Sequence, residues 1–131
     1  MRKQIISFLP AISWSLLIIV LLSIPGNELP DAGPFTNLML DKWAHIFLFL
    51  ILTALFCYPL KSRVTKLRTR FMVRIVIVSS IFGIIMEFVQ HYFVPKRSFE
   101  LGDIVADIVG AVAGFLIMRK YFHKVKPGLD N

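Results

Sequence analysis

Hydrophobic residues run almost without interruption through four stretches of the chain, which are separated by segments rich in Pro, Gly, Lys and Arg. The stretches cover residues 5–24, 44–60, 71–94 and 101–118. At a rise of about 1.5 Å per residue, each is close to the length that crosses roughly 30 Å of hydrocarbon. Unbroken apolar runs also differ from the alternation of barrel strands. The pattern predicts an all-α fold, an integral membrane four-helix bundle formed by a single domain over 1–131.

The first stretch has a second interpretation, because Arg2 and Lys3 precede it as they would precede a secretory signal peptide. The apolar run is long for such a signal. Its exit at Ser23, Ile24 and Pro25 also lacks small residues at both positions that a signal peptidase reads. We therefore interpret this stretch as a retained helix.

The distribution of positive charge predicts the orientation of the bundle. Four spans place twelve of the fifteen Lys and Arg residues on one side and leave Lys42, Lys96 and Arg97 on the other. The positive-inside rule then predicts that both termini are cytoplasmic, with a basic C-terminal tail over 119–131. The expected location is the bacterial cytoplasmic (inner) membrane, crossed in multiple passes.

Composition supports the same class of protein. The chain is 56% hydrophobic and carries a formal net charge of +7. Lys and Arg next to membrane spans are attracted to anionic lipid headgroups, so membrane lipid is the expected partner, and nucleic acid is not. The lone Cys57 lies within an apolar stretch, where an inert buried thiol is expected.

The connection over 25–41 is the only long one on the predicted outer side. It contains Pro25, Gly26, Pro30, Gly33 and Pro34. These residues are typical of turns and helix ends, so the segment is predicted to form a structured extracytoplasmic turn that breaks any helix.

Two acidic residues within apolar stretches, Glu87 and Asp107, are the most informative polar positions. A charge at the bilayer centre costs about 2.5–3.5 kcal/mol on insertion scales, so each calls for a role. Counted from the predicted outer helix ends, both lie roughly 10 Å deep, which lets the two carboxylates meet. Seven of the eight acidic residues fall on or near this side.

Further polar residues lie at similar depth on three predicted helices. Spacings of three or four residues predict that they share faces with one another. They are Asp41, Lys42, His45, Gln90, His91, Arg97 and Asp103. Two adjacent carboxylates in a low dielectric need a shared proton or a neighbouring cation. Arg97 is the favoured cation, because its guanidinium can bridge two acceptors.

The cluster allows several functions. Lys42 and Arg97 suit contacts to an anionic ligand, with the other polar residues as hydrogen-bonding partners. Alternatively His45, Glu87 and Asp107 can act as catalytic acid–base groups in a small membrane enzyme. A purely structural polar lock between helices is a third possibility.

Other chemistries receive less support from the pattern. No metal site and no cofactor are expected, because neither H-E-x-x-H nor E-x-x-H occurs. Ser98 and Thr53 are the hydroxyls of the outer half, and neither has the context of an activated nucleophile. A transporter is less favoured, since the chain has few spans and no inverted repeat.

The order of these residues resembles the VanZ-like family of small bacterial membrane proteins. Asp41-Lys42-Trp43-Ala44-His45 is similar to its D-K-x-x-H, and Glu87-Phe88-Val89-Gln90 is similar to its E-x-x-Q. Arg97 is followed by the family's D-x-x-x-N-x-x-G-x-x-x-G at Asp103, Gly110 and Gly114, with Asp107 where the family usually has Asn. The resemblance covers about residues 41–118.

The resemblance implies a role in the cell envelope. The family name implies an association with low-level resistance to glycopeptide antibiotics of the teicoplanin type, without an established reaction. The expected function is binding or modifying an anionic envelope component, such as a lipid-linked headgroup. Resistance is then a secondary consequence of that role.

Small residues repeat every four positions in the last stretch. Ala106, Gly110 and Gly114 form a small-xxx-small strip that another helix backbone can approach closely. The strip predicts close helix packing, and it also allows a homodimer through these residues.

Overall fold

The structure is a computed structural model that describes residues 6–28, 33–63 and 65–124. Its four α-helices are α1 (Leu9–Leu22), α2 (Pro34–Cys57), α3 (Thr65–Phe93) and α4 (Leu101–Lys124), with 3-10 turns at Gly26–Glu28 and Tyr58–Ser62. The described residues contain no β-strand. The prediction of an all-α four-helix fold is therefore confirmed.

Three segments are long and apolar enough to cross a membrane: Met39–Ser62, Thr65–Phe93 and Leu101–Lys124. Helix α1 has 14 residues, which corresponds to about 21 Å and is shorter than the roughly 30 Å hydrocarbon layer. The predicted first stretch began at residue 5, which lies outside the described residues. Cytoplasmic placement of both termini requires α1 to cross, and it stays a prediction.

Helix α2 begins earlier than the sequence pattern predicted. Pro34 is its first residue, whereas the predicted start was residue 44. Proline is well accommodated at the first helical position, where its missing N–H has no intrahelical partner, and Gly33 precedes it with φ +92°. The expectation that the whole of 25–41 breaks the helix is therefore wrong, although residues 29–32 lie outside the description.

The segment between the second and third apolar stretches, which is rich in Lys and Arg, is largely helical. Helix α3 begins at Thr65 instead of residue 71, so Lys66, Arg68 and Arg70 are helical residues. The Arg68 guanidinium lies 4.8 Å from the ring centre of Phe122. Helix α4 likewise continues past residue 118 to Lys124, while the rest of the predicted tail, 125–131, lies outside the description.

Helices α2 and α4 run in the same direction and pack closely against each other. The glycines of α4 make this possible, because a Cβ at Gly110 would overlap the Ile46 carbonyl and one at Gly114 would overlap the Leu50 carbonyl. Ala106 is also buried. The predicted small-residue strip is thus covered by α2 of the same chain. A homodimer stays a prediction, but this strip is not a free surface for it.

We expect Gly110→Val to destabilise the protein by about 1–3 kcal/mol, the typical cost of overpacking. The added side chain meets the backbone of Ile46, which cannot rotate away as a side chain can. Thermal unfolding in detergent, followed by size-exclusion chromatography, measures the loss. The matched control is Val109→Leu on the exposed side of the same helix. Equal stability of the two variants would contradict this packing.

The buried interior is layered. One apolar cluster contains Ile18, Leu22, Phe49, Leu52 and Met86, and a second contains Cys57, Leu60, Met72, Met118 and Phe122. Large apolar side chains also point outward along the helices, as expected of surfaces that face lipid. The polar residues collect beyond the first apolar cluster, where α2 and α4 begin and α3 ends.

Candidate functional site

The site lies where the N-terminal parts of α2 and α4 meet the C-terminal part of α3. Three elements and one connection supply its members, each on a face that looks into the bundle. Helix α2 provides Asp41, Lys42 and His45; α3 provides Glu87; the α3–α4 connection provides Arg97 and Glu100; α4 provides Asp103 and Asp107. We call these eight residues the polar cluster.

The centre of the polar cluster is a hydrogen bond between His45 and Asp107. His45 Nδ1 lies 2.8 Å from Asp107 Oδ1, and both residues are only 1% exposed. The other ring nitrogen, Nε2, has no hydrogen-bond partner among the described residues and lies 4.0 Å from Asp103 Oδ2. If Asp107 accepts the Nδ1 proton, the neutral ring presents the Nε2 lone pair toward Asp103.

Lys42 joins α2 to the start of α4. Its Nζ donates to Glu100 Oε2 at 2.9 Å and to Asp103 Oδ1 at 2.8 Å. The Lys42 side chain is 29% exposed and that of Glu100 is 36% exposed, whereas Asp103 is buried. Gly102 leaves room for this lysine, since a Cβ there would lie 2.6 Å from Lys42 Cε.

Arg97 pairs with Asp41 and not with the two deep carboxylates. Its Nη1 donates to Asp41 Oδ1 at 3.3 Å and Oδ2 at 3.5 Å. The predicted arginine clamp over Glu87 and Asp107 is therefore wrong. After α3 the chain turns at Lys96, with φ +60°, and Arg97 then reaches the beginning of α2. Asp107 is instead paired with His45 through Oδ1, while its Oδ2 has no hydrogen-bond partner among the described residues.

Glu87 has a structural partner at the beginning of α4. Its Oε1 accepts the backbone N–H of Glu100 at 2.5 Å, while Oε2 has no hydrogen-bond partner among the described residues. Glu100 directly precedes α4, so this carboxylate caps the helix at its positive end. The predicted catalytic role of Glu87 stays a prediction.

Gln90 and His91 do not join the polar cluster. Gln90 is buried, and its Nε2 donates to the Leu22 carbonyl at 3.0 Å, which joins α3 to the end of α1. His91 is exposed, with its ring 4.7 Å from Tyr92 and 6.1 Å from Phe99. The expectation that both share the inner face of Glu87 is wrong for His91, and their ligand-binding roles stay predictions.

Glu100 is a member of the polar cluster that the sequence interpretation did not single out. It lies three residues before Asp103, a spacing that brings both carboxylates to one side of the helix start, and Lys42 contacts both. That spacing was the available signal. It was hidden because Glu100 falls in a connection outside the apolar stretches, where a charge has no insertion cost.

The polar cluster has more carboxyl groups than permanent cations. It contains the carboxylates of Asp41, Glu87, Glu100, Asp103 and Asp107, against the permanent cations of Lys42 and Arg97. His45 can supply a third positive charge when protonated. The arrangement can therefore hold a proton or attract a cation, and both permanent cations are already engaged by carboxylates of the chain.

A cavity of about 350 Å³ lies elsewhere, among α1, α2 and α3. Its wall consists mainly of apolar side chains such as Leu52, Phe56 and Phe82, and no member of the polar cluster lines it. The cavity is suited to an acyl chain or another apolar group. It is not the predicted polar pocket.

The family comparison agrees with the resemblance found in the sequence. A family model described as VanZ/LLP1 matches residues 4–123. The chain belongs to the VanZ/LLP1 family. No curated protein and no solved structure gives a significant match.

Asp107, the residue at which this VanZ/LLP1 protein departs from the family motif, lies at the centre of the polar cluster. The pattern usually has Asn where Asp107 stands, and Asp107 Oδ1 forms the bond to His45. An Asn side-chain oxygen can accept the same Nδ1 proton. The hydrogen bond to the imidazole is therefore compatible with either residue, and the carboxylate adds charge to it.

Proposed function

We propose that this VanZ/LLP1 protein crosses the bacterial cytoplasmic membrane several times and carries the polar cluster near the extracytoplasmic face. Basic residues at the opposite end of the bundle support this orientation, because they favour the cytoplasmic side. Lys61 and Arg63 lie in the α2–α3 connection, and Arg119 and Lys120 lie near the end of α4.

Two introduced cysteines test this orientation in a Cys57→Ala background. Ser98→Cys, in the α3–α4 connection, is expected to react with a membrane-impermeant maleimide in intact cells. Thr65→Cys, at the start of α3, is expected to react only after the membrane is permeabilised. Both positions are exposed, so burial does not explain a difference. The reverse labelling pattern would place the polar cluster on the cytoplasmic side.

We propose further that the polar cluster binds or modifies an anionic component of the cell envelope. The observation that carries this proposal is the position of Lys42 and Arg97 on a partly exposed rim above the buried His45 and Asp107. Glu100, the more exposed partner of Lys42, can be exchanged for a phosphate or carboxylate of the ligand. A lipid-linked headgroup would approach this rim from the membrane surface.

A catalytic version of the proposal is favoured by the unpartnered Nε2 of His45. In acid–base catalysis, a base is commonly oriented by a carboxylate at its other nitrogen, as Asp107 does here. His45 would then remove a proton from water or from a substrate hydroxyl. Glu87 stays a candidate for the same role through its unpartnered Oε2.

The alternative of a structural polar lock is favoured by the internal pairing of most charges. It predicts that substitutions in the polar cluster affect the protein only through its stability.

A teicoplanin-susceptible host provides the test of a functional site. Expression of the protein there is expected to raise the minimal inhibitory concentration of teicoplanin modestly. Arg97→Ala and Glu87→Gln are expected to remove this effect at unchanged membrane levels, with His123→Gln, an exposed residue at the opposite end of the bundle, as the control. If Arg97→Ala and Glu87→Gln both raise the minimal inhibitory concentration as much as the parent protein does, the polar cluster is not a functional site.

If the site is catalytic, Glu87→Gln should leave ligand retention largely intact while turnover is lost. The amide keeps an oxygen that can accept the Glu100 N–H, so the cap of α4 survives. Arg97→Ala should instead weaken retention itself. Co-purification of anionic envelope lipids, measured by mass spectrometry for the two variants and the parent protein, separates these outcomes. Equal retention in all three would contradict a role of the rim in binding.

A further inference from the structure

The side chains of Asp41, His45 and Asp103 converge at the centre of the polar cluster. One ligand-type atom from each lies within 4.8 Å of the other two. Two of the three, His45 and Asp103, are buried, and the third is partly buried. A mixed set of one imidazole and two carboxylates matches the ligands that bind Zn²⁺ and similar divalent ions.

An independent observation points to a ligand at this place. His45 Nε2 is buried, has no hydrogen-bond partner among the described residues, and lies 4.0 Å from Asp103 Oδ2. A buried polar atom without a partner carries a substantial energetic cost, so its persistence calls for an explanation. A bound cation between Nε2 and Oδ2 would satisfy both atoms. Nε2 would then not be free to act as a base, and Glu87 Oε2 would be the remaining candidate for that role.

The other nitrogen of the His45 ring, Nδ1, has the kind of partner that is found in metal sites. Histidines that bind metals usually donate their second N–H to a carboxylate or carbonyl, which fixes the ring and raises its basicity. Asp107 Oδ1, 2.8 Å from Nδ1, stands in that position. Asp107 would therefore be a positioning residue and not a ligand.

From this geometry we infer that Asp41, His45 and Asp103 form a binding site for a divalent transition-metal ion, with Zn²⁺ as the reference ion. The ligand atoms lie within 4.8 Å of one another and must close to about 3.3 Å, the separation in a tetrahedral zinc site with bonds near 2 Å. Asp41 is the member that would have to move, because it is partly exposed and its contact with Arg97, at 3.3 Å, would be given up for the ion. Lys42 occupies Oδ1 of Asp103 and leaves Oδ2 for the ion.

The sequence pattern predicted no metal site because it lacks a local zinc motif. The three residues come from two helices, with Asp103 separated from His45 by more than fifty positions. Only the parallel packing of α2 and α4 brings them together. Such a site is not visible as a spacing within one helix.

A metal ion would also change the charge balance. It would offset the excess of carboxylates, and with three protein ligands it leaves an open coordination position. A phosphate or carboxylate oxygen of an envelope ligand could fill that position. This last step rests on the proposed function, whereas binding of the ion itself does not.

The test uses the full-length protein in detergent micelles, with any histidine tag removed and Zn²⁺ alone as the probe. Equilibrium dialysis and elemental analysis are expected to give one Zn²⁺ per chain. His45→Gln and Asp103→Asn should weaken binding at least tenfold. Asp107→Asn should weaken it less than either ligand variant does, because the amide oxygen can still accept the Nδ1 proton. His123→Gln, an exposed histidine outside every predicted site, is the matched control and should bind normally.

X-ray absorption at the zinc edge of the parent protein gives a second readout that does not depend on whether variants fold. One imidazole with oxygen ligands, and no sulfur, is expected. Failure to retain Zn²⁺, unchanged binding in folded His45→Gln, or a spectrum with two or more imidazoles would overturn the inference. Zinc binding with no antibiotic phenotype would instead refute only the proposed function.

Discussion

Asp107→Leu is expected to lower the free energy of unfolding by about 2–6 kcal/mol, because an unsatisfied buried donor costs about 1–3 kcal/mol and an overpacked site costs about 1–3 kcal/mol. His45 would keep its place between α2 and α4 but lose the acceptor 2.8 Å from Nδ1. The new side chain would also meet limited space, because Asp107 lies against Gly83 of α3. Reversible unfolding in mixed detergent and SDS micelles measures the change.

Asp107→Asn is the informative control for that variant. Its side-chain oxygen can still accept the Nδ1 proton, and the shape of the residue is kept. We expect a much smaller loss of stability than with leucine. Ile108→Leu, on the exposed neighbouring position, should be nearly neutral. Equal losses for Asp107→Leu and Asp107→Asn would show that the hydrogen bond to His45 contributes little.

The second large effect is expected from Lys42→Met. Removal of the ammonium leaves buried Asp103 without its 2.8 Å partner and Glu100 without its 2.9 Å partner. The expected loss lies toward the lower end of about 3–5 kcal/mol, because Lys42 and Glu100 are partly exposed to solvent. The same mixed-micelle unfolding experiment applies.

A double-mutant cycle separates the lysine's charge from its packing. In the Lys42→Met background, Asp103→Asn removes the unpaired buried charge, so the double variant should be more stable than the sum of the single losses predicts. Lys42→Arg keeps the charge and serves as the conservative control. Strict additivity of the two losses would mean that Lys42 and Asp103 do not interact.

The cost of placing charge in an apolar helix was sufficient to identify the centre of the site from sequence. Glu87 and Asp107 are both buried where α3 and α4 meet, and His45 joins them from α2. Because a charged side chain that faces lipid is costly, these residues were expected to lie inside the bundle among other polar groups. The same argument did not apply to Glu100, which lies outside the apolar stretches.

Partner choice was beyond the reach of sequence spacing. Several carboxylates were predicted at the same depth in the membrane as Arg97, so the sequence did not identify its partner. In the structure the chain turns at Lys96, and Arg97 contacts Asp41. His91 shows a related limit. At about 100° per residue, positions three and four after Glu87 lie on opposite sides of it around the helix. The neighbouring helices cover Gln90 and leave His91 exposed, which only the packed structure reveals.

Helix ends were similarly dependent on context. Proline was interpreted as a breaker in the first outer connection, but Pro34 begins α2, a position where it is favoured. Charged residues were taken to mark the end of the spans, but α3 and α4 continue through their basic segments. Lys and Arg are good helix formers, so their charge limits membrane depth without ending the helix.

The hydrogen bond between His45 and Asp107 is the central feature of this account, and nitrogen NMR of histidine-labelled protein measures it most directly. His45→Gln assigns its signals, since His91 and His123 are exposed and remain as internal references. We predict that the Nδ1 proton of His45 is hydrogen-bonded, exchanges slowly with water, and shifts in Asp107→Asn while the other two histidines do not. If the Nδ1 proton of His45 exchanges rapidly with water and its signal does not shift in Asp107→Asn, the hydrogen bond between His45 and Asp107 is absent.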